Sequence, residues 1–408
     1  MKVLPHFNKS TNFNLLSGIL LLFSIKRQYC QGFWLNPRNL YMEKWSLNKY
    51  HSFSMENKEN IDKTSMRLGI RVFPTILGAS RNDEEFENDI NPANYEMKKE
   101  KVKLPNDTLA EVITTRPLST IKSSEANGSA ERPTLVFIHG SFHAAWCWAE
   151  NYLPFFASNG YRSTALSLRG TNGTFAGKNV KKVKIMDHVD DIDAFLQYVE
   201  SSNENSMKPI LIAHSFGGLA VMKYLETKCQ NTSPSDLLTG VVLFCSVPPS
   251  GNGKMTLRFL MRSIRNSWKI FAGFAFKKCI NDADLCRTLF FATKDDPSGG
   301  IEDKDLVRYQ HYFERDTVAT IDLGDLSKHL PSLNTNSDGV AYFAINHEQL
   351  PTLIVGASDD FIVDYEGVVE TSKYFGVQPI TVNSPHDVML GPLWRSGANL
   401  LKQWLMKI

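Results

Sequence analysis

The chain has 408 residues, of which 45 are basic and 43 acidic, so its formal net charge is only +2. A charge this close to neutral argues against the broad positive field of a nucleic-acid-binding protein, and we expect no nucleic-acid partner. The length accommodates an α/β domain of up to about 250 residues together with a leader and an insertion.

The first 32 residues have the layout of a signal peptide. Lys2 and Lys9 precede an apolar run over residues 15–23, and the Cys-Gln-Gly sequence at 30–32 offers small residues to a signal peptidase. The run is shorter than the roughly 20 residues that a membrane-spanning helix needs. We therefore expect entry into the secretory pathway, with an apolar tail on a cytosolic protein as the alternative.

Residues 33–94 are predicted to form a transit-like segment followed by a disordered linker. The part up to residue 54 is basic, hydroxylated and aromatic, and it resembles the transit-like half of a two-part plastid address in algae with complex plastids. The part from residue 55 is rich in Glu, Asp and Asn and shows little periodicity. We expect onward transport to a complex plastid, with secretion or retention in the ER lumen as alternatives.

From Tyr95 onward, strand and helix patterns alternate. Apolar residues at helical spacing predict helices over residues 146–158 and 185–199. Strands that alternate with helices are typical of an α/β fold with a mostly parallel central sheet flanked by helices. The predicted strands are 98–104, 109–115, 134–138, 162–168, 210–213, 240–245, 352–355 and 378–382.

The interval between the strand that ends at Cys245 and the strand that starts at Thr352 is too long for a plain connection. Its apolar and aromatic residues recur at helical intervals, which predicts an inserted helical cap over residues 251–348. Residues 95–250 and 349–408 then form the core. Such a cap would lie at the carboxyl ends of the parallel strands, where active sites of open α/β sheets are found.

Residues 251–280 of the predicted cap contain seven basic residues and no acidic one. Apolar residues over 257–271 recur at the spacing of one continuous helix, and Arg258, Arg262 and Arg265 follow about 100° round it. The pattern fits an ordinary cap helix over a pocket. It also fits peripheral contact with an anionic membrane, because long basic side chains border an apolar face.

A serine stands between an apolar strand and a helical pattern. Ser215 is preceded by Ala213 and His214 and followed by Phe216 and Gly217, which is the context of a nucleophile elbow. The sharp turn needs small residues two before and two after the serine, and alanine and glycine stand there. We predict that Ser215 is a nucleophile and that the Phe216 amide faces the developing oxyanion.

A serine nucleophile needs a base and a group that orients the base. His386 follows the last predicted strand, and Asp360 follows the strand over residues 352–355. The order Ser, Asp, His is the one expected of an elbow-containing hydrolase. The rival acids and bases in the sequence are Asp359, Asp387, His143, His188 and His214.

The stretch over residues 139–148 follows a buried strand and carries His-Gly, a small residue, a histidine and a Trp-x-Trp turn. It resembles the oxyanion loop of the plant esterase and hydroxynitrile lyase group of α/β-hydrolases, and this plant or algal likeness runs from about Tyr95 to the C-terminus. The resemblance implies an oxyanion hole made by the backbone amides of Ser141 and Phe216, in a loop shaped by His139 and Gly140. Further matching segments are residues 168–171, the helix with His188 and Asp191, 360–363 and 386–390.

The resemblance implies a serine hydrolase that cleaves a small apolar or amphiphilic carboxylic ester. Ser215 would attack, His386 would carry the proton and Asp360 would hold the imidazole. No cofactor is expected, because proton transfer and electrostatic stabilisation suffice for this chemistry. Epoxide hydrolases and haloalkane dehalogenases use an aspartate nucleophile, which disfavours their reactions here. Cofactor-free lyase chemistry and a non-catalytic ligand-binding protein are the alternatives, and the sequence indicates no oligomeric state.

The cysteines form no CxxC pair and no Cys/His cluster at zinc spacing, so we expect no structural metal. Most are predicted to be buried thiols that pack as small apolar groups. Cys279 and Cys286 are close in sequence, and whether they pair is left open. Trp146 and Trp148 are expected in the core rather than around the substrate.

Overall fold

A computed structural model describes residues 90–118, 132–202 and 207–408. The chain divides into two units, residues 1–79 and 80–408, and all described residues belong to the second. The predicted signal peptide and nearly all of the predicted transit-like linker lie outside the described residues. The predicted address therefore stays a prediction.

A mostly parallel sheet forms the centre of the second unit. Its strands pair in the order β1-β2-β4-β3-β6-β7-β9-β10, and only the β1–β2 and β2–β4 pairs are antiparallel. β5 pairs separately with β8. The strands are β1 (Tyr95–Lys103), β2 (Leu109–Pro117), β3 (Leu135–Ile138), β4 (Ser163–Leu166), β5 (Lys182–Val183), β6 (Ile210–His214), β7 (Gly240–Phe244), β8 (Thr320–Ile321), β9 (Thr352–Ala357) and β10 (Pro379–Val382).

Helices flank this sheet and fill the interval between β7 and β9. They are α1 (Trp146–Ala149), α2 (Tyr152–Ser158), α3 (Ile185–Ser201), α4 (Phe216–Lys228), α5 (Pro234–Leu237), α6 (Asn252–Arg262), α7 (Ile264–Ala275), α8 (Ala283–Phe290), α9 (Asp303–Asp316), α10 (Leu323–Leu326), α11 (Tyr342–Asn346), α12 (Tyr365–Phe375) and α13 (Trp394–Leu405). The predicted fold class is confirmed. Within the described part of the chain, we find no helix with the length and apolarity needed to cross a bilayer.

The central strands are apolar along nearly their whole length, and His214 at the end of β6 is the exception. Every residue of β3, β6 and β7 is buried. Parallel strands covered on both faces have continuous apolar runs rather than alternating ones, which is the pattern that the sequence shows here. Their carboxyl ends lie at one edge of the sheet, and β6 ends there directly before Ser215.

The single helix predicted over residues 146–158 is wrong, because the structure has two helices there. α1 ends at Ala149, and Asn151 has φ −135° and ψ −51°, outside the helical range. Pro154 explains the break. In a continuous helix its ring would clash with the carbonyl of Glu150, whereas in the first turn of a new helix a proline is tolerated.

The continuous helix predicted over residues 257–271 is also wrong. Ser263 has φ −161° and ψ 109°, which ends α6 and starts α7. Its hydroxyl accepts a hydrogen bond from the Asn266 backbone N–H at 3.2 Å. Serine is a favoured N-cap because its side chain satisfies one of the free amides of the first turn, so a local cap outweighs the continuous apolar pattern.

All five cysteines within the described residues are buried free thiols. Cys279 and Cys286 therefore do not pair in this structure. Burial raises the pKa of the Cys279 thiol to about 12, which keeps it protonated at neutral pH. These thiols pack as small apolar groups.

Candidate active site

Ser215 lies at the sharp turn between β6 and α4. Its backbone has φ 52° and ψ −121°, a conformation that non-glycine residues rarely adopt. Three backbone hydrogen bonds hold the turn: the Ser215 N–H donates to the Phe244 carbonyl at 3.0 Å, and the Ser215 carbonyl accepts from the Gly218 N–H at 3.0 Å and the Val247 N–H at 3.1 Å. The surrounding strands thus fix a strained turn that projects the hydroxyl from the sheet edge.

The turn packs directly against the loop after β3. A Cβ on Gly217 would lie 2.5 Å from the His139 carbonyl oxygen, so only glycine fits at this position. A Cβ on Gly140 would lie 2.8 Å from the Ser215 Cβ, which shows that this loop reaches the serine itself. The residue two positions before the serine is Ala213, whose side chain is a single methyl group, so this position is also small.

The two amides predicted to form the oxyanion hole lie next to the residues of this close approach: Ser141 is beside Gly140, and Phe216 is beside Ser215. Ser141 follows Gly140 in the loop, and Phe216 is the first residue of α4. A helix N-terminus carries free N–H groups and partial positive charge, so the Phe216 end of α4 favours an anion beside Ser215. The oxyanion role of both amides stays a prediction.

The structure brings Ser215, His386 and Asp360 together in one hydrogen-bonded chain. His386 Nε2 lies 3.1 Å from Ser215 Oγ, and His386 Nδ1 lies 2.9 Å from both carboxylate oxygens of Asp360. Asp360 Oδ1 also accepts from the Ile362 and Val363 amides, each at 2.8 Å. With the carboxylate facing Nδ1, the proton of the neutral imidazole belongs on Nδ1, and Nε2 is left to accept the serine proton.

The rival acids contact other partners. Asp359 Oδ1 lies 3.6 Å from Lys294 Nζ and accepts from the Lys294 amide at 3.3 Å. Asp387 Oδ2 lies 3.0 Å from His143 Nε2. Of the three candidate carboxylates, Asp360 alone hydrogen-bonds the His386 ring.

Two of the rival bases are buried neutral imidazoles. His214 Nε2 donates to the His386 carbonyl at 2.9 Å, and burial together with His386 and His143 lowers the pKa of His214 well below 6.5. Burial lowers the pKa of His188 to about 4. Neither ring hydrogen-bonds Ser215, so His386 is the base that the geometry favours.

The third rival base, His143, connects the two loops that meet at Ser215. Its Nδ1 donates to the Ser141 carbonyl at 2.8 Å, and its Nε2 contacts Asp387, the residue after His386. The Asp387 N–H in turn donates to the Phe290 carbonyl at 3.1 Å. Sequence reasoning treated His143 and Asp387 only as rivals and missed this link, although each stands within two residues of a predicted site residue.

His139 positions the start of the oxyanion loop. Its Nε2 accepts from the Leu168 amide at 2.8 Å, which leaves the ring proton on Nδ1 to donate to the Gly140 carbonyl at 2.7 Å. Burial lowers the pKa of His139 to about 3, so the ring stays neutral. The adjacent Arg169 donates to Asp191 through Nε at 2.9 Å, which joins the segment 168–171 to α3.

The His386 ring is buried, and the charges around it determine its protonation. Burial is the largest influence and lowers the pKa of the imidazole, whereas the nearby Asp360 and then Asp387 raise it. The raising influences prevail together, so the pKa of His386 lies above its ordinary value of 6.5. The imidazolium that would form during serine attack is therefore stabilised where it is needed.

The profile of the alpha/beta hydrolase family matches residues 135–392, which is more than half of the chain and includes Ser215, Asp360 and His386. The chain belongs to this family. The predicted relationship to esterase-like α/β hydrolases is confirmed, since methylesterases and a methyl jasmonate esterase are among its curated relatives.

Two relatives give the extent of the sequence likeness. Methyl jasmonate esterase 1 of Vitis vinifera is 35% identical over 98 residues, which cover 24% of this chain and 35% of that protein. Norfluorocurarine synthase 1 of Strychnos sp is 29% identical over 125 residues, which cover 31% of this chain and 44% of that protein. The chain thus matches less than half the length of each relative.

Among solved structures, epoxide hydrolase A from Mycobacterium thermoresistibile superimposes with a TM-score of 0.54 at 16% identity, over 76% of this chain and 98% of that chain. At this identity the likeness concerns the fold alone. It agrees with the α/β-hydrolase fold predicted from the sequence.

A cluster of phenylalanine side chains lies beside His386, with the Phe290 ring centroid 6.3 Å from that of the imidazole. Phe142 of the oxyanion loop has its ring centroid 5.2 Å from Phe274, 6.2 Å from Phe290 and 6.1 Å from Phe313, which lie on or at the ends of α7, α8 and α9. Ser215 is only 5% exposed. The inserted segment, defined as residues 251–348, therefore lies against the site and gives it an apolar wall.

The two tryptophans of the Trp-x-Trp turn are buried, in line with the core position expected of them. Trp148 packs on Phe137 of β3 with ring centroids 4.9 Å apart. Trp146 stacks on His143 at 5.6 Å and on Tyr309 at 5.6 Å. Trp146 thus packs on a side chain of the oxyanion loop itself, and Trp148 packs on the strand that precedes this loop.

One group of ligand-type atoms within the described residues is close enough to consider for a metal. Atoms of His214, Cys245 and His386 lie within 4.8 Å of one another. The group fits a cation poorly, because both His386 nitrogens already bind Asp360 and Ser215. Burial also raises the pKa of the Cys245 thiol, which disfavours the thiolate that a metal would need.

Proposed function

We propose that this α/β hydrolase is a serine esterase that cleaves a carboxylic ester by way of an acyl-serine. The observation that carries the proposal is the hydrogen-bonded chain from Ser215 Oγ through the His386 ring to the Asp360 carboxylate. Such a chain activates a weak nucleophile, because the imidazole accepts the hydroxyl proton and the carboxylate orients the imidazole. The esterases among its relatives support the same reaction class.

In the acylation step, Ser215 Oγ attacks the ester carbonyl carbon while its proton moves to His386 Nε2. The carbonyl oxygen becomes an oxyanion that the Ser141 and Phe216 amides stabilise, and Asp360 stabilises the imidazolium. Collapse of the tetrahedral intermediate breaks the carbon–oxygen bond to the alcohol, which leaves with the proton from His386. Water then attacks the acyl-serine with His386 as base, and the carboxylic acid and free serine are released.

We further propose that the inserted segment acts as a helical cap and favours a small ester with an apolar or amphiphilic body. The phenylalanine wall around Phe142 offers hydrophobic contact and few hydrogen-bonding groups. Ser215 is only 5% exposed, so a substrate that reaches it would contact this segment. No cofactor or metal takes part in the proposed reaction.

The proposal is tested by labelling the purified protein with a fluorophosphonate probe and by assaying a panel of acyl esters of graded chain length. We expect stoichiometric labelling and turnover that improves with apolar acyl or alcohol groups. Labelling without turnover on any ester in the panel would favour another reaction on the same serine. No labelling at all would contradict a nucleophilic Ser215.

The fall of kcat/KM at low pH should report the protonation of His386. The base must be neutral to accept the serine proton, and its pKa lies above 6.5, so kcat/KM should fall as the pH drops with a midpoint above 6.5. In Asp360→Asn the carboxylate no longer raises that pKa, and the residual activity should show a midpoint at lower pH. A wild-type midpoint below 6.5, or one that does not shift in the variant, would contradict the assignment.

A further inference from the structure

The outer faces of α6 and α7 carry large apolar side chains in contact with solvent. Met261 and Ile264 are each 75% exposed and flank the break between the two helices. Leu257 and Leu260 on α6 and Trp268 on α7 are also exposed. We refer to these five residues as the α6–α7 face. Exposed apolar groups that follow one another so closely mark a surface that another phase or molecule covers.

An aromatic cluster extends this face at the end of α7. The Trp268 ring centroid lies 5.7 Å from that of Phe271 and 6.1 Å from that of Phe276, and Phe276 is itself exposed. A tryptophan with apolar neighbours is suited to the boundary between water and lipid, because its ring is apolar and its indole N–H is polar.

Four of the basic residues near the face fall into two groups. Arg258 and Arg262 are ion-paired with Asp364 from outside the inserted segment, and Arg262 also contacts Glu366. Their charges are thus neutralised in place. Two of the three arginines in the predicted basic stripe are therefore paired within the chain, since their acidic partners lie on and just before α12.

Lys254 and Arg265 form the second group. Both are exposed, and neither has an acidic side chain at ion-pair distance among the residues that the structure describes. Lys254 stands three residues before Leu257 and Arg265 three residues before Trp268, so each is a neighbour of the apolar face on its helix surface. The apolar face therefore has two free positive charges at its border.

We propose that the α6–α7 face binds peripherally to an anionic lipid surface. The apolar side chains would enter the headgroup region while Lys254 and Arg265 contact the lipid phosphates. A second copy of the chain is a poorer partner, because a symmetric contact would bring the same positively charged border against itself. This inference concerns binding and does not depend on the proposed esterase activity.

The inner side of α7 connects the proposed lipid-binding face to the candidate active site. Phe274, near the C-terminal end of the same helix, packs on Phe142 of the oxyanion loop at 5.2 Å. A membrane-bound α7 would separate the bilayer from the aromatic wall by one helix. An amphiphilic substrate dissolved in that bilayer would then reach the aromatic wall by passing this helix.

The test is co-sedimentation of the full chain with vesicles of phosphatidylcholine mixed with phosphatidylserine, and with vesicles of phosphatidylcholine alone. We expect pelleting with the mixed vesicles only, weakened by added salt. Lys254→Gln combined with Arg265→Gln should weaken the partition constant about 25-fold, from about fivefold for each basic side chain. Met261→Ser combined with Ile264→Ser should weaken it at least roughly tenfold.

Matched variants locate the contact. Lys328→Gln with Lys407→Gln removes the same net charge from exposed positions elsewhere, and Val307→Ser with Leu323→Ser removes exposed apolar side chains from other helices. Both should bind as the wild type does, and surface changes of this kind rarely affect folding. Equal losses in matched and test variants would overturn the proposal, as would negligible or equal pelleting with both vesicle types. Self-association in sedimentation velocity that Met261→Ser with Ile264→Ser abolishes would also overturn it, and would assign the face to a second copy.

Discussion

Ser215→Ala is expected to abolish labelling by a fluorophosphonate probe and to lower ester turnover by about 10⁴-fold or more. The Ser215 hydroxyl lies 3.1 Å from His386 Nε2, and no other group in the described structure hydrogen-bonds that nitrogen. The residual rate should be that of an ester held by the oxyanion loop and attacked by water. Turnover with and without the substitution, measured on the best ester of the panel, gives the result.

The variant is expected to fold as the wild type does. Within the described residues, the serine hydroxyl hydrogen-bonds His386 and no other group, and an alanine at φ 52° has the same backbone cost as the serine. A thermal unfolding midpoint close to that of the wild type provides the control. Undiminished turnover in a folded variant would refute the serine mechanism and indicate a different nucleophile.

The parts of the site that the sequence predicted are those that depend on local backbone geometry. Ser215 is recognisable because an apolar strand, small neighbours and a helical pattern define the turn around it. Asp360 and His386 are recognisable because they follow strands whose carboxyl ends share one edge of a parallel sheet. In each case a few neighbouring residues determine where the side chain points.

The parts that the sequence did not predict depend on contacts between distant segments. His143 and Asp387 are 244 residues apart, and nothing in either neighbourhood indicates that they pair. Arg258 and Asp364 are 106 residues apart, so the neutralisation of two arginines on the predicted basic stripe was not visible either. The break at Ser263 is local, but a serine in an apolar repeat is equally compatible with a continuous helix.

Asp360→Asn is expected to lower kcat by about 10⁴-fold, whereas Asp359→Asn should keep most of the activity. Asp360 contacts His386 Nδ1 with both oxygens, and an asparagine there presents a neutral amide that does not stabilise the imidazolium and that can favour the wrong tautomer. Steady-state kinetics on one ester, with both variants in the same buffer, separate the two carboxylates.

Asp359 serves as the matched control because it is the adjacent residue and carries the same charge. Its Oδ1 lies 3.6 Å from Lys294 Nζ, a side chain that is itself 80% exposed, and an ion pair of this kind contributes at most about 1 kcal/mol to the free energy of unfolding. Asp359→Asn should therefore remain folded, and Asp360→Asn should too, because its amide oxygen can still accept from the Ile362 and Val363 N–H groups. If Asp359→Asn lost the activity and Asp360→Asn kept it, Asp359 and not Asp360 would be the catalytic carboxylate. The hydrogen bonds of Asp360 to the Ile362 and Val363 amides would then have a structural role only.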